Sequence, residues 1–170
     1  MARAAQHGGN VLEIAERHGL DASEIIDFSA NINPLGMPDS LRQAIVDNLA
    51  LAERYPDIEY RHLHRAIARH TGTPVEWCMA GNGATELIFS LVAKLAPRRA
   101  VLPVPGFAEY RRALERIGCD IIDLQLNEAD DFQPTEALLS VLDEQIDCLF
   151  LCTPNNPTGQ QPDAARSEEH

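Results

Sequence analysis

Residues 99–126 read RAVLPVPGFAEYRRALERIGCDIIDLQL, and their reading decides the fold. An apolar run ends in a Pro-Gly turn. A helical stretch from Phe107 to Ile117 follows, stopped by Gly118, and a second apolar run opens at Cys119. This predicts a strand over 99–103, a helix over 107–117 and a strand over 119–126. The alternation extends both ways. Strand 76–80 and helix 84–96 lie upstream, and helix 134–145 and strand 147–152 lie downstream. Short apolar runs alternating with helices predict an α/β fold, a mostly parallel sheet covered by helices. Ligands of such sheets gather beyond the carboxyl ends of the strands. Three loops with unusual chemistry then share one rim: GNGATE (81–86), PVPGF (103–107) and TPNNPTG (153–159).

Upstream of residue 76 the pattern is helical. Asn10, Glu13 and Gly19 delimit a helix over 11–18. DFSANINPLGMP (27–38) is loop chemistry, with two Asn, two Pro and a Gly. A helix capped by Asp39 or Ser40 places Leu41, Ile45, Leu49 and Ala52 on one face and ends before Pro56. Another, over 59–72, turns Leu63, Ile67 and Tyr60 inward and stops at Gly72. The last residues, QQPDAARSEEH, are polar and carry no periodicity.

The chain has 170 residues, 45% of them apolar and 24% charged, enough for one domain with a core. Its formal charge of -12 argues against a nucleic-acid binder, which carries a basic face. Any anion site must be built locally, from backbone N–H groups and a few arginines. No apolar run approaches the roughly 18 residues of a membrane helix, and the first residues lack an apolar signal core. The expectation is a cytoplasmic protein without membrane or nucleic-acid partners. Cys78, Cys119, Cys148 and Cys152 form no C-x-x-C pair and have no His at zinc-ligand spacing, so they read as reduced core thiols and no metal is expected. His18, His62, His64 and His70 lie on helices and read as solvated. His7, beside two glycines, is a candidate functional group. Arg98 and Arg99 read as a solvated strand edge.

GNGATE is not a P-loop, having no G-x-x-x-x-G-K-[ST], and Glu86 occupies the place of the third glycine of a dinucleotide fingerprint. Two readings remain. Gly83, Ala84 and Thr85 offer N–H groups at a helix start, which with the helix dipole favour a phosphate. Alternatively this is a plain strand-to-helix turn capped by Thr85 or Asn82. Phe107 is either a flat surface for a planar ligand or a ring folded back on its own helix. TPNNPTG is the most specific stretch: two adjacent Asn amides between prolines, on a backbone held by Gly159.

Together, GNGATE, PGFAEY and TPNNPTG, in this order and spacing, resemble the fold-type I pyridoxal-phosphate enzymes of the class I/II aminotransferase superfamily. HGGN (7–10), DFSANINPLGMP and ERYPD (53–57) look like the threonine-phosphate decarboxylases of cobalamin biosynthesis. Histidinol-phosphate aminotransferases, which share the RYP and NNPTG elements, are the alternative, and a non-catalytic phosphate-binding module is a third reading. The resemblance covers residues 7–159. It implies the large domain of the aspartate aminotransferase fold, three-layered and incomplete here. Residues 1–58 would be an N-terminal arm and helix, 59–159 the first part of the cofactor-binding domain, and 160–170 a divergent tail.

The resemblance further implies that Gly83, Ala84 and Thr85 hold the phosphate of pyridoxal 5'-phosphate. It implies that Phe107 stacks on the pyridine ring and that Asn156 hydrogen-bonds the ring's 3-oxygen. Tyr55 would reach the cofactor phosphate of the other subunit of a homodimer. His7 and Asn31 are placed for the carboxylate or phosphate of a phosphorylated amino acid. The implied reaction is decarboxylation of L-threonine O-3-phosphate to aminopropanol phosphate, in the cobalamin route. The family also needs a lysine bonded to the cofactor, which belongs to a stretch well past residue 159. The single lysine here, Lys94, lies inside the helix that GNGATE begins. The expectation is an N-terminal, catalytically inactive portion of a family member. Strand 76–80 would be separated in the sheet from the other three.

Overall fold

The structure, a computed structural model, describes residues 8–161. The chain divides into two compact units, residues 1–80 and 81–170.

The first unit is helical. Helix α1 (Val11–His18) starts where Asn10 accepts from the Glu13 N–H (3.4 Å) and ends at Gly19 in the left-handed conformation (φ 65°), as the sequence predicts. Helices α2 (Asp39–Asp47) and α3 (Arg61–Thr71) follow. Neither Asp39 nor Ser40 caps α2; its N-cap is Pro38, without a side-chain hydrogen bond. The stretch beyond Asn48 tightens into a 3₁₀ turn, Leu49–Glu53. The faces expected to point inward stay exposed, with Leu41, Ile45, Leu49, Leu63 and Tyr60 all solvated to a large degree. Ala15 is the one buried apolar residue among the described residues of this unit. The stripes are amphipathic, but among the described residues of the unit they stay largely uncovered. His64 departs from its expected solvation: Nε2 is enclosed without a hydrogen-bond partner, beside the tilted ring of Tyr60 (6.0 Å).

Residues 76–80 do not form the expected strand. A 3₁₀ turn, Val75–Trp77, stands there. A strand exists through its ladder, and no described strand pairs with this segment.

The second unit is built on α4 (Ala84–Leu95), β1 (Arg99–Val104), α5 (Ala108–Arg116), β2 (Asp120–Gln125), α6 (Ala137–Val141) and β3 (Cys148–Leu149). Both neighbours of β1 run parallel to it, in the order β2-β1-β3. The register aligns Ala100 with Ile121 and Cys148, so these residues share one face. On it α4 and α5 bury Val92, Ala113 and Leu114 against Ala100 and Leu102. Helix α6 packs against β2. Helix, sheet and helix give the layered α/β arrangement that residues 99–126 announce.

The third strand is shorter than predicted, for a reason visible in β1. The carbonyls of Arg99 and Val101 accept from the N–H groups of Asp147 (2.9 Å) and Phe150 (3.3 Å). The next position of β1 facing that side is Pro103, which has no N–H, so the ladder stops. Helix α6 is likewise shorter than 134–145. Leu142 is already extended, and Asp143 turns the chain by accepting from the Gln145 N–H (2.8 Å). Arg98 is solvated as expected. Arg99 instead joins the three strands at their amino ends, reaching Asp120 (2.8 Å) and Gln145 (2.6 Å), while Asp147 accepts from both arginine N–H groups (2.7 and 3.2 Å).

Candidate functional site

The strand order places a switch point in the sheet. After β1 the chain moves to one side to make β2, then crosses to the other to make β3, so the strand order reverses between β1 and β3. The crevice between their carboxyl ends is where ligands of such sheets bind. The loops there are 104–107 and 150–159, two of the three that the sequence singles out. The third arrives through α4. That helix ends at Leu95, just before β1 begins, and packs beside α5 on the sheet. Its N-terminus therefore returns toward the rim.

At that N-terminus, Gly83 has φ 85° and ψ 169°, a conformation only glycine adopts without strain, and a Cβ there would meet nothing within 4 Å. No side chain caps the helix, so neither Thr85 nor Asn82 plays the capping role of the plainer reading. The N–H groups of Ala84 and Thr85, in the first turn, have no intrahelical acceptor. Gly83 contributes conformation rather than a donor, because its own N–H is held by the Gly81 carbonyl (2.9 Å). The Glu86 carboxylate folds back onto the N–H of Asn82 and steadies the loop. Gly81 allows this closeness: a Cβ on it would lie 2.9 Å from Leu87 Cδ2 and 3.1 Å from Glu86. The outcome is an open, conformationally fixed, uncapped helix start, the arrangement that binds anions.

At the switch point, Gly106 is fixed by close approach, since a Cβ would lie 2.5 Å from the Pro103 carbonyl oxygen. Phe107 follows, half-buried, edge-on to Tyr110 (5.5 Å between centroids, 82°). Tyr110 lies flat on Phe150 (4.5 Å, 16°). Opposite them, Asn155 clamps the two loops together: its Nδ2 donates to the Pro105 carbonyl (3.1 Å) and to Thr158 Oγ1 (2.9 Å). Asn156 sits next to this clamp, half-buried. A shallow hollow lies beside the clamp, lined by residues that include Pro103, Phe132, Leu151, Cys152 and Asn155, and it touches neither Phe107 nor α4.

In the first unit, the glycines of HGGN lie against the DFSAN loop. A Cβ on Gly8 would fall 1.7 Å from the Ser29 carbonyl oxygen. Gly9 N–H donates to Ser29 Oγ (2.8 Å), and that hydroxyl donates to Asp27 (2.5 Å). The Ser29 hydroxyl and the Ser29 N–H (2.7 Å) both donate to Asp27 and hold its carboxyl below its ordinary range. Residues adjoining His7 are thus tied two positions from Asn31, which is exposed; His7 itself lies outside the described residues. Tyr55 is fully exposed.

Three contributions were not legible as site features in the sequence. Tyr110 is visible there only as an aromatic three residues after Phe107, the i,i+3 spacing of a shared helix face. Asn155 acts as the loop clamp, a role that NNP does not distinguish from that of Asn156. Glu109 is buried and paired with Arg112 (2.7 Å). The cysteines are free thiols, but all four are only half-buried, and Cys78 and Cys152 do not join the core expected to hold them. Cys119 and Cys148 pack against the core, where burial raises their pKa values. Lys94 stands exposed in the last turn of α4, about 13 Å along the axis from Thr85.

Residues 23–169 match the family model for aminotransferase class I and II. The chain is 55% identical over 157 residues to the threonine-phosphate decarboxylase of Salmonella typhimurium, covering 92% of this chain and 43% of that protein. It is 36% identical to an adenosylcobalamin biosynthesis bifunctional protein of Leptospira interrogans, over 91% of this chain and 18% of that protein. Among solved structures, the histidinol-phosphate aminotransferase of Clostridium acetobutylicum superposes with a TM-score of 0.71 at 28% identity, over 84% of this chain and 41% of that one. The chain thus spans less than half the length of these relatives. With an uncapped helix start and a crevice at the carboxyl ends of its parallel strands, and with the family model matching most of the sequence, the chain belongs to the class I and II aminotransferases, which are pyridoxal-phosphate-dependent enzymes.

Proposed function

We propose that the protein carrying this chain decarboxylates L-threonine O-3-phosphate in cobalamin biosynthesis, and that this chain supplies the phosphate and ring contacts of its pyridoxal-phosphate site. The observation that carries the reaction is the 55% identity to a threonine-phosphate decarboxylase over 92% of the chain. The residues present fit the cofactor. Gly83 opens the helix start, and the N–H groups of Ala84 and Thr85, with the Thr85 hydroxyl, would hold its phosphate. Phe107 would lie against its ring, and Asn156 would donate to the ring's 3-oxygen. The cofactor supplies an electron-withdrawing ring that takes up the electron pair of the cleaved bond.

This chain's residues bind and orient. The helix dipole of α4 favours the phosphate, and the Asn155 clamp holds the Asn156 loop against the loop bearing Phe107. Asn31 and His7 would meet the substrate's carboxylate or phosphate. A fully exposed tyrosine has no internal use for its ring, and Tyr55 would reach the phosphate site of a second subunit in a homodimer. Lys94, at the far end of α4, does not serve as the cofactor's covalent partner.

A histidinol-phosphate-type aminotransferase is the second reading, favoured by the superposition at 28% identity. The two separate by assay of the protein carrying this chain. CO2 release from L-threonine O-3-phosphate supports decarboxylation. Amino transfer from histidinol phosphate to 2-oxoglutarate without CO2 release supports the second reading and overturns the first.

A further inference from the structure

We propose that Tyr110 is a positioning residue that holds the Phe107 ring and the Asn156 loop in one fixed arrangement. The inference rests on the cofactor reading above, and it assigns to Tyr110 no contact with the cofactor. Its basis is connectivity. Phe107 leaves the tight turn at Gly106 and precedes the first turn of α5; Tyr110 meets it edge-on at 5.5 Å. The opposite relation, face to face, joins Tyr110 to Phe150 at 4.5 Å. Phe150 directly follows β3 and leads into the Asn156 loop. The Cys152 thiol, which donates to the Pro154 carbonyl (3.3 Å) two residues before Asn156, is near enough to the Tyr110 hydroxyl to raise its pKa. One side chain therefore touches both loops of the switch point by its ring: edge-on to Phe107 in one and face-on to Phe150, which opens the other.

Such a hub has a physical use. A ring that serves as a stacking surface loses affinity to whatever rotamer and loop freedom must be frozen on binding. Aromatic pairs in edge and offset-stacked geometry restrict that freedom before the ligand arrives. Burial and the Cys152 thiol push the Tyr110 pKa up to about 12, so the hydroxyl remains neutral and able to donate at ordinary pH.

The test is equilibrium binding of pyridoxal 5'-phosphate to the protein carrying this chain, with the circular dichroism of the bound cofactor as a second readout and thermal unfolding as a folding control. Removing the ring with Tyr110→Leu should weaken binding roughly three- to tenfold, the range of an aromatic pair, and reduce the cofactor's dichroic band. Tyr110→Phe, which keeps both ring contacts, should restore affinity to within about twofold of wild type and restore the band. Phe150→Leu removes the stacked face and leaves Tyr110 in place. It should show the same weakened binding and reduced band, and it carries the test if Tyr110→Leu does not fold. Affinity and dichroism unchanged from wild type in Tyr110→Leu or Phe150→Leu overturn this inference and leave the cofactor reading intact. Absence of wild-type binding overturns both.

Discussion

Gly83 shows how much one residue decides at the rim. Its φ of 85° and ψ of 169° turn the chain into α4 with the helix start uncapped and open. Gly83→Ala should cost about 1–3 kcal/mol of stability, the range for a non-glycine residue held in that region. Urea unfolding measures it, and a cost near zero would show that the loop relaxes without strain. The sequence announces this glycine through GNGATE, yet it does not say whether the anion donors are its own N–H or those after it. The Gly81 carbonyl takes that N–H, and a carbonyl's direction has no signature in residue type. Phe107 poses the same difficulty, since stacking surface and folded-back ring read as alternatives in the sequence. Its edge contact with Tyr110 makes the second compatible with the first.

At the scale of elements, β1 organises the second unit, and its amino end is tied by Asp147. Two backbone N–H groups, those of Arg98 and Arg99, donate to that one carboxylate and hold its pKa below the ordinary carboxylate range. A group whose folded pKa is lowered contributes stability above its unfolded value, and that contribution is lost as pH falls through the folded one. Stability should therefore drop on acidification below about pH 4, and Asp147→Asn should flatten that acid limb. Urea midpoints at neutral and acid pH compare the two, and an unchanged slope in the variant would remove Asp147 from the account. Periodicity made α1, α4, α5, β1 and β2 legible to within a residue or two. It failed for residues 76–80 and for the end of β3, because a strand requires a partner as well as a pattern. The apolar run at Trp77-Cys78-Met79 has no described strand beside it, and Pro103 ends the ladder to β3. Both facts depend on the neighbour, which a residue's own sequence context does not carry.

At the scale of the molecule, the three described strands pair in the order β2-β1-β3, and residues 76–80, expected as a strand set apart from these three, form none. The order also creates the switch point on which the site depends. The first unit is different. Helices α1 and α3 stop at the predicted Gly19 and Gly72 while α2 forms without its predicted cap, and their apolar faces remain exposed, as do loop residues from Phe28 and Leu35 to Ile58. Helical periodicity specifies a face to be covered and leaves open what covers it. No described helix is long and apolar enough to cross a membrane. The chain also spans only 43% of the Salmonella relative. The proposed site is accordingly the part of a cofactor site that one stretch of sequence carries: a helix start, a ring surface and an amide.

Whether the α4 start binds the cofactor by its phosphate is tested most directly by equilibrium dialysis. This chain is dialysed against pyridoxal 5'-phosphate and against pyridoxal, which lacks the phosphate. The expected result is at least about tenfold tighter binding of the phosphorylated form, as charge-assisted hydrogen bonds to backbone N–H groups and Thr85 would give, and a smaller margin in Thr85→Val. Equal affinities for the two compounds, unchanged by Thr85→Val, would contradict it.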